Sequence, residues 1–217
     1  MKVTILTTNK EHPVNSHLIA WMKSGKTSAT VELVHNKSDL SHGDLLFLVS
    51  CSEIIPREIR EKYRACLVLH ASDLPKGRGW SPHIWEIRSG ADSITLSLLE
   101  AEGKVDSGRI WKKILIPIPK HALYDEINEL LFKGEIELIE YAIKNQNIVG
   151  PEPQPEAVEA TYYPRRTPND SRLNPESKLV DLFNEIRVCD PNRYPAFFEH
   201  LGYRYIIKME KISDKHN

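Results

Sequence analysis

Two short apolar runs separated by a charged segment constrain the fold of this chain more than any other feature. Residues 45–49 (LLFLV) and 65–69 (ACLVL) are continuous apolar runs, a pattern typical of β-strands that are covered on both faces. Between them, Pro56 begins the charged sequence PREIREKY, which predicts a helix. Strands that alternate with helices predict an α/β fold built on a doubly wound, mostly parallel sheet.

The same alternation continues along the chain. Further strands are predicted over residues 3–7, 31–34, 93–99 and 108–116. Further helices are predicted over residues 16–23, 82–88, 121–147 and 175–186. Ser16 is a candidate N-cap of the first helix, and the final apolar segment AFFEHLGYRYIIKM predicts a hairpin.

A proline-rich segment divides the sequence into parts. Residues 150–160 (GPEPQPEAVEA) contain three prolines, and this composition predicts an extended connector. We therefore expect a main domain over residues 1–149, a linker over residues 150–160 and a C-terminal extension over residues 161–217.

Composition and charge exclude several classes of protein. The chain is 41% hydrophobic and 27% charged, with a net charge of −1. A disordered chain would be less apolar and more unbalanced in charge, and a dedicated nucleic-acid binder would carry a strong basic surplus. The three cysteines form no CxxC pair, which excludes a disulfide scaffold and a standard cysteine zinc site. With no apolar run near the ~20 residues of a membrane span, we expect a cytoplasmic protein with no membrane partner.

The segment 69–82 (LHASDLPKGRGWSP) is the strongest candidate for a catalytic or ligand-binding segment. His70 directly follows a buried strand, at the carboxyl edge where open parallel sheets bind ligands. Asp106 follows the next predicted strand, so two successive strands could bring both side chains to the same edge. A histidine beside a carboxylate suits acid–base work near neutral pH. Alternatively, His70 caps a loop and Asp106 forms an Asx turn.

The sequence HASDLPKGRGWSP and the later VDSG resemble the HxSLLPxxRGxxP and DxG signatures of folate-dependent formyltransferases. That family includes methionyl-tRNA, glycinamide ribonucleotide and nucleotide-sugar formyltransferases. The tail sequences TYYPRRTPNDSRLN and IRVCDPNRYPAFFEHLGYRY are similar to those of formyltransferases acting on UDP-4-amino-4-deoxyarabinose, and the combination resembles a short branch linked to bacterial amino-sugar formylation, including the pseudaminic acid pathway. The resemblance implies a Rossmann-like formyltransferase fold with a small C-terminal extension.

The resemblance also implies a mechanism. An amine would attack the formyl carbon of N10-formyltetrahydrofolate and give an oxyanion. His70 matches the family histidine that stabilises this charge, and Asp106 matches the aspartate that pairs with the histidine and orders a water. Preorganised donors at such an oxyanion are worth about 3–4 kcal/mol each. No metal is expected, because the donor is already activated.

The resemblance assigns donor binding to two loops, which in the family hold the pterin largely by backbone hydrogen bonds. The corresponding residues here are Ser50, Cys51, Ser52, Ile54, Ala101 and Val105. Cys51 is expected as a small residue of the folate wall rather than a reactive thiol, because no base is near it in sequence.

Val68 departs from the family pattern. The family has asparagine two residues before the histidine, and valine cannot donate the hydrogen bond which that asparagine gives to the formyl oxygen. Either another donor takes its place, such as Ser72 or a backbone N–H, or the enzyme is slow or inactive.

The expected acceptor is a nucleotide-linked deoxyaminosugar, UDP-linked in the first instance, for surface glycan or pseudaminic acid biosynthesis. A tRNA acceptor would favour a basic C-terminal domain, and the residues after the linker have no large basic surplus. Candidate acceptor-binding residues are Asn9, His12, Arg78, Tyr163, Arg165 and Arg166. Guanidinium forks suit a diphosphate, and Tyr163 could stack on a base. The competing interpretations are that Asn15 and Ser16 only cap the first helix and that the arginines tether the tail.

Two other functions stay open at this point. One is a catalytically degenerate protein that binds folate or a nucleotide sugar, which Val68 motivates. The other is a formyltransferase that acts on the amino acid of a charged tRNA or a carrier. The segment AFFEHLGYRYII is compatible with a homodimer, and alternatively folds back on its own sheet.

Overall fold

The computed structural model describes residues 1–212, so the last five residues of the extension predicted over 161–217 lie outside the described residues. The strands are β1 Lys2–Leu6, β2 Thr30–Val34, β3 Gly43–Leu48, β4 Tyr63–His70, β5 Arg78–Gly79, β6 Ser93–Glu100, β7 Ile110–Pro117, β8 Tyr162–Tyr163, β9 Ala196–His200 and β10 Tyr203–Ile207. The α-helices are α1 Val14–Lys23, α2 Arg57–Arg60, α3 Pro82–Arg88, α4 Tyr124–Asn145 and α5 Phe183–Arg187.

Six of these strands form the central sheet, in the order β2-β1-β3-β4-β6-β7. The pairs β1–β2, β1–β3 and β3–β4 are parallel, whereas β4–β6 and β6–β7 are antiparallel. The prediction of an α/β fold with a mostly parallel sheet is therefore confirmed. The strand predicted over residues 93–99 is antiparallel to β4, which changes how the loop after it reaches the site.

The two faces of the sheet are covered differently. Along β3 and β4 successive side chains point to opposite faces, so Phe47 and Leu67 belong to a large core that also contains residues of α1 and α4. Leu46 and Cys66 belong to a smaller cluster covered by Leu40, Ile55 and other single side chains. No long helix lies over this second face in the described chain, and Val68 packs there.

The start of α1 corrects one prediction. The helix begins at Val14, so Ser16 lies inside it and its hydroxyl donates to the carbonyl of Pro13. Asn15 does not cap the helix either. Its side-chain amide donates to the carbonyls of Asn9 and Lys10, and its Oδ1 accepts from Thr7 Oγ1 at 2.7 Å. Asn15 therefore fixes the loop that follows β1.

The helix predicted over residues 175–186 is also wrong over most of its length, since only α5 forms. Leu179 and Val180 are 64% and 77% exposed. A short helix without a buried apolar face has too little tertiary packing to hold it. The hairpin predicted in the last apolar segment is confirmed as β9 and β10, which pair antiparallel.

The proline-rich segment 150–160 forms no helix or strand. It lies against the sheet through an isolated bridge in which Ile110 and Glu152 exchange backbone hydrogen bonds of 2.7 and 2.9 Å. None of the helices within residues 1–212 has the length and apolar character needed to cross a bilayer.

Candidate active site

His70 ends β4 with a buried ring, only 6% exposed. Its Nε2 lies 2.8 Å from the carbonyl oxygen of Gly77. Because a carbonyl oxygen can only accept, Nε2 carries the hydrogen of this bond. The bond fixes both the orientation of the ring and its tautomer, and it leaves Nδ1 as the nitrogen that can exchange a proton.

Asp106 faces that second nitrogen. Its Oδ2 lies 3.6 Å from His70 Nδ1, and the two side chains are 9% and 8% exposed. The same oxygen accepts the backbone N–H of Gly79 at 2.9 Å. The distance to the ring exceeds that of a direct hydrogen bond, and it places a negative charge where it compensates a positive charge on the imidazole. The sequence-predicted pair is thus brought together.

The route by which Asp106 arrives differs from the one expected. In the antiparallel register His70 lies opposite Ser97, and the end of β6 at Glu100 lies opposite Leu67. The loop over residues 101–109 therefore has to return along the sheet to reach His70. Asp106 adopts a left-handed backbone with φ of 50° to make this turn.

The return of the 101–109 loop along the sheet also requires a glycine at position 108. A Cβ at Gly108 would lie 1.9 Å from the carbonyl oxygen of Glu100, because the loop lies flat against the end of β6. Only a residue without a side chain can approach a backbone this closely. This steric demand gives the physical reason for the glycine in the VDSG sequence.

Strand β5 lies between the His70–Asp106 pair and the C-terminal segment. On one edge, Gly77 accepts from His70 and Gly79 donates to Asp106. On the other edge, the N–H of Arg78 donates to Thr161 at 2.9 Å, and the N–H of Trp80 donates to Tyr163 at 3.1 Å. Hence residues 161–163 support the loop that orients both candidate catalytic side chains.

Arg78 makes contacts other than those expected of a substrate ligand. Arg78 is a buried residue, 8% exposed. Its guanidinium donates to Gln154 Oε1 at 2.6 Å and to Tyr162 Oη at 3.2 Å. The bond from Arg78 lowers the pKa of the Tyr162 phenol. No carboxylate within residues 1–212 lies within 4.0 Å of the guanidinium. Both terminal nitrogens are thus engaged by the C-terminal part of the chain.

The predicted donor-binding loops meet on the lightly covered face of the sheet. Cys51 and Ala101 pack against the same small cluster as Val68. Cys51 is half-buried, and this burial raises the pKa of its thiol, which opposes a role as a reactive nucleophile. The backbone of Ala101 is already used, because its N–H donates to Cys66 at 2.7 Å and its carbonyl accepts from Arg60.

The other members of these loops fit a bound pteridine ring better. Ile54 and Val105 are 62% and 45% exposed, and within residues 1–212 their backbone groups make no hydrogen bonds. They offer an apolar surface and backbone groups, which are the two features that a flat heterocycle needs. Ser50 and Ser52 are exposed and tied to Thr8, whose hydroxyl accepts the N–H of Ser52 at 2.9 Å.

Neither Val68 nor Ser72 offers an accessible side-chain hydrogen-bond donor beside His70. Val68 lies on the same face of β4 as His70, since the two are separated by two positions. The hydroxyl of Ser72 has no hydrogen-bond partner in the described chain, and the residue is 0% exposed. Ser72 is therefore enclosed beneath the loop, where a Cβ at Gly77 would approach its Cβ to 2.9 Å.

Two further histidines lie within electrostatic range of the pair. Burial, together with the nearby His70, His12 and Arg166, lowers the pKa of His83 to about 3. Burial and Arg193 lower the pKa of His12 to about 4. Both rings are therefore neutral at physiological pH. Sequence reasoning missed His83, whose only signal is its position at the start of the helix that follows the RGWSP sequence.

The remaining predicted acceptor residues form an aromatic and basic surface. Tyr163 stacks on Trp85 with ring centroids 6.2 Å apart and planes 7° apart. The guanidinium of Arg165 lies 4.9 Å from the ring centroid of Trp80, and that of Arg166 lies 6.0 Å from Trp85.

Asn9 is exposed in the loop after β1, and its Oδ1 accepts the N–H of Glu11. His12 is held close by, because its Nδ1 accepts the N–H of Val14 at 3.3 Å. No cluster of three His, Cys, Asp or Glu side chains that could hold a metal occurs in the described part of the chain.

The α/β domain thus buries a His–Asp pair between two glycine-containing loops. A profile of the formyl transferase family matches residues 1–143. The chain belongs to this family, which uses N10-formyltetrahydrofolate as its formyl donor.

Two curated relatives bear the name methionyl-tRNA formyltransferase. A methionyl-tRNA formyltransferase from Desulfotalea psychrophila is 30% identical over 78% of this chain and 53% of its own length. Another from Rickettsia bellii is 25% identical over 80% of this chain and 57% of its own length. The chain spans about half the length of these curated relatives.

Solved structures show the same fold. Methionyl-tRNA formyltransferase from Clostridium thermocellum superposes with a TM-score of 0.79 and 26% identity, over 94% of this chain and 90% of that one. HypX from Aquifex aeolicus with tetrahydrofolic acid gives 0.77 at 21% identity, over 94% and 36%. A sugar N-formyltransferase from a Shewanella species gives 0.71 at 17% identity, over 99% of both chains. At these last two identities the likeness shows the fold alone.

Proposed function

We propose that this protein transfers a formyl group from N10-formyltetrahydrofolate to an amine. The observation that carries the proposal is the buried pair in which Asp106 Oδ2 lies 3.6 Å from His70 Nδ1. The chain belongs to the formyl transferase family, and the motif resemblance matches His70 and Asp106 to that family's histidine and aspartate. The exposed side chains of Ile54 and Val105 offer the donor an apolar surface.

The proposed role of each residue follows from its contacts. N10-formyltetrahydrofolate supplies an activated formyl group when it is bound. As the acceptor amine bonds to the formyl carbon and the bond from that carbon to N10 breaks, the amine loses a proton and N10 gains one. His70 Nδ1 is the ring nitrogen free to take the first proton and return it to N10. Asp106 compensates the charge that the ring then carries. The Gly77 carbonyl keeps the ring from turning, and a positioned proton acceptor of this kind contributes about 10²–10⁴-fold in rate.

The proposed acceptor is a nucleotide-linked deoxyaminosugar, probed first as a UDP sugar, in surface glycan or pseudaminic acid biosynthesis. Arg165 is exposed and makes no ion pair within residues 1–212. A guanidinium on an aromatic ring suits a diphosphate next to a base. The proposed acceptor-binding residues are accordingly Asn9, His12, Tyr163, Arg165 and Arg166, with Arg78 supporting the loop.

An aminoacyl-tRNA is the second candidate acceptor. The names of the sequence relatives favour it, since the proteins 25% and 30% identical to this chain are methionyl-tRNA formyltransferases. The net charge of −1 favours the sugar instead, because phosphate-backbone binding depends on a basic surplus. The degenerate binding protein has one specific observation in its favour, the valine at position 68.

A formyl-transfer assay read by mass spectrometry tests these proposals together. Wild-type protein, His70→Ala and Asp106→Asn would each be incubated with N10-formyltetrahydrofolate and a panel of UDP-, TDP- and CMP-linked amino sugars and methionyl-tRNA. We expect a mass gain of one formyl group on an amino sugar with wild type alone. Transfer only to methionyl-tRNA would overturn the sugar proposal and leave the transfer chemistry in place.

The variant Val68→Asn separates a slow enzyme from a degenerate one. If wild type binds folate but transfers nothing, and Val68→Asn restores transfer to a sugar, the protein is a degenerate binder. If wild type transfers and Val68→Asn changes its rate little, another donor serves the formyl oxygen.

A further inference from the structure

We propose that Gln154 is a positioning residue that fixes the catalytic Asp106 and links the two loops of the active site. The inference rests on the proposed function for its kinetic consequence, but its structural basis is independent. Gln154 belongs to the proline-rich segment predicted as a linker. Its side chain reaches the centre of the site instead.

The side-chain amide of Gln154 makes three hydrogen bonds. Its Nε2 donates to the carbonyl of Asp106 at 2.8 Å and to the carbonyl of Gly108 at 3.0 Å. Its Oε1 accepts from Arg78 Nη2 at 2.6 Å. Both N–H donors of the group are thereby used, and only one acceptor lone pair remains.

The backbone that Gln154 holds is strained. Asp106 has a φ of 50°, and left-handed backbone is unfavourable for an L-residue. Gly108 is forced against the carbonyl of Glu100. Such a turn persists only when its surroundings over-determine it. The two bonds from Gln154 satisfy the carbonyls of the turn and keep the Asp106 carboxylate aimed at His70.

The third bond connects this turn to the other loop. Arg78 lies between Gly77, which accepts from His70, and Gly79, which donates to Asp106. By holding Arg78 and Asp106 with one amide, Gln154 fixes the histidine loop and the aspartate loop relative to each other. A displacement of either loop would lengthen the 3.6 Å separation of the pair.

The segment that carries Gln154 is itself rigid. Prolines stand at positions 151, 153 and 155, and proline fixes its own φ and favours extended backbone in the residue before it. The two-way backbone pairing of Glu152 with Ile110 anchors the segment to β7. The prolines therefore present Gln154 to the site with little conformational freedom left to lose.

The chemistry of the amide makes the proposal specific. Gln154→Met keeps the shape but removes all three bonds. Gln154→Glu keeps an acceptor for Arg78 but replaces both donors with oxygen, which faces two carbonyl oxygens. If the donors to Asp106 and Gly108 are what matters, both variants fail alike. Glu156→Gln is the matched control, because Glu156 is exposed on the same segment.

Two readouts distinguish positioning from general stability. In the transfer assay, kcat should fall about 10- to 100-fold in both Gln154 variants, since small misplacements of catalytic groups cost up to about 10²-fold. The KM for the formyl donor should stay within about twofold, as expected when donor contacts are intact. By NMR, hydrogen-exchange protection of the Gly79 amide, which reports its bond to Asp106, should fall at least about tenfold.

The outcomes separate this inference from the proposed function. Wild-type kcat and unchanged Gly79 protection in Gln154→Met would overturn it, as would wild-type behaviour of Gln154→Glu. Equal losses in Glu156→Gln would also overturn it, because the effect would then belong to the segment and not to the amide. If wild type transfers formyl to no acceptor, the proposed function fails, whereas the Gly79 exchange still decides the role of Gln154.

Discussion

The central sheet and the C-terminal hairpin show opposite patterns of burial. Leu45 and Phe47 in β3 are fully buried, and β3 has a paired strand on each side. In β10, Tyr203 and Ile206 are 71% and 58% exposed, and within the described residues this strand pairs only with β9. Apolar burial stabilises the sheet, whereas in the hairpin it is largely confined to β9, where Ala196 and Phe197 are buried.

Because the two regions are stabilised differently, they contribute differently to the candidate active site. The sheet places His70 at a strand end, but it cannot by itself hold the loops around it. The C-terminal part supplies that support through the β5–β8 pairing and Gln154. The catalytic pair therefore depends on both regions, and each prediction below perturbs one side of this division.

The largest expected effect is the loss of catalysis without His70. In His70→Ala the proton acceptor and the charge beside Asp106 are gone, and we expect kcat for formyl transfer to fall about 10³-fold. The measurement is single-turnover transfer followed by mass spectrometry. His42→Ala is the control, since His42 is exposed. A loss of less than about tenfold would show that the ring is not at the reacting centre.

The next effect tests the fit of the aspartate loop against the sheet. Gly108→Ala puts a Cβ 1.9 Å from the Glu100 carbonyl, whereas a Cβ at Gly103 in the same loop meets nothing within 4 Å. We expect Gly108→Ala to lower the free energy of unfolding by about 3 kcal/mol. Gly103→Ala should change it by less than about 0.5 kcal/mol. Urea denaturation measures both, and equal values would contradict the described loop path.

The pH dependence of stability tests the core beneath the sheet. Burial raises the pKa of Glu135 to about 8, and its Oε2 has no partner within the described residues. The folded state therefore keeps a proton that the unfolded chain releases above about pH 4.5. The contribution of Glu135 to stability is greatest below that pH and is lost as the pH rises towards 8.

The variant Glu135→Gln isolates this contribution. Between pH 5 and pH 8 the wild type should lose about 3 kcal/mol of unfolding free energy relative to Glu135→Gln. Thermal or urea unfolding at several pH values gives the difference. Glu137→Gln changes an exposed residue of the same helix and should follow the wild type. Parallel curves for wild type and Glu135→Gln would rule out a buried, protonated Glu135.

The smallest effect on the monomer is expected at the hairpin. We propose that the exposed apolar side chains on both faces of β10, together with its unpaired edge, meet a second copy of the chain, since such edges favour association. The double variant Tyr203→Glu, Ile206→Lys should halve the mass seen by light scattering. Monomer stability should change by less than about 0.5 kcal/mol. A wild-type protein that is monomeric by light scattering would contradict the dimer proposal.

The sheet could be predicted from sequence because its strands are continuous apolar runs. Residues 45–48 fall within β3, with Val49 directly after it, and residues 65–69 fall within β4. The direction of β6 could not be predicted, because an antiparallel strand buried on both faces has the same composition as a parallel one. The sequence predicts that His70 and Asp106 lie close together because two successive strands would end at the same edge of the sheet. The structure brings them together by a different route, the loop over residues 101–109 that returns along the sheet.

The residues that sequence reasoning missed act through contacts between distant segments. Gln154 lies 48 positions from Asp106 and 76 from Arg78, in a segment whose prolines predict only a connector. His83 gains its lowered pKa from burial and from neighbours on other elements. Arg78 has the composition of a phosphate ligand, and only the fold shows that Tyr162 and Gln154 take its donors.

The most direct test of the central claim is a crystal structure with 5-formyltetrahydrofolate, a stable isomer of the donor. We expect the pteridine ring on the lightly covered face of the sheet, between Ile54 and Val105, with the reacting end of the ligand beside His70 and Asp106. A ligand seated elsewhere, with the His70–Asp106 pair out of its reach, would contradict the assignment of the active site.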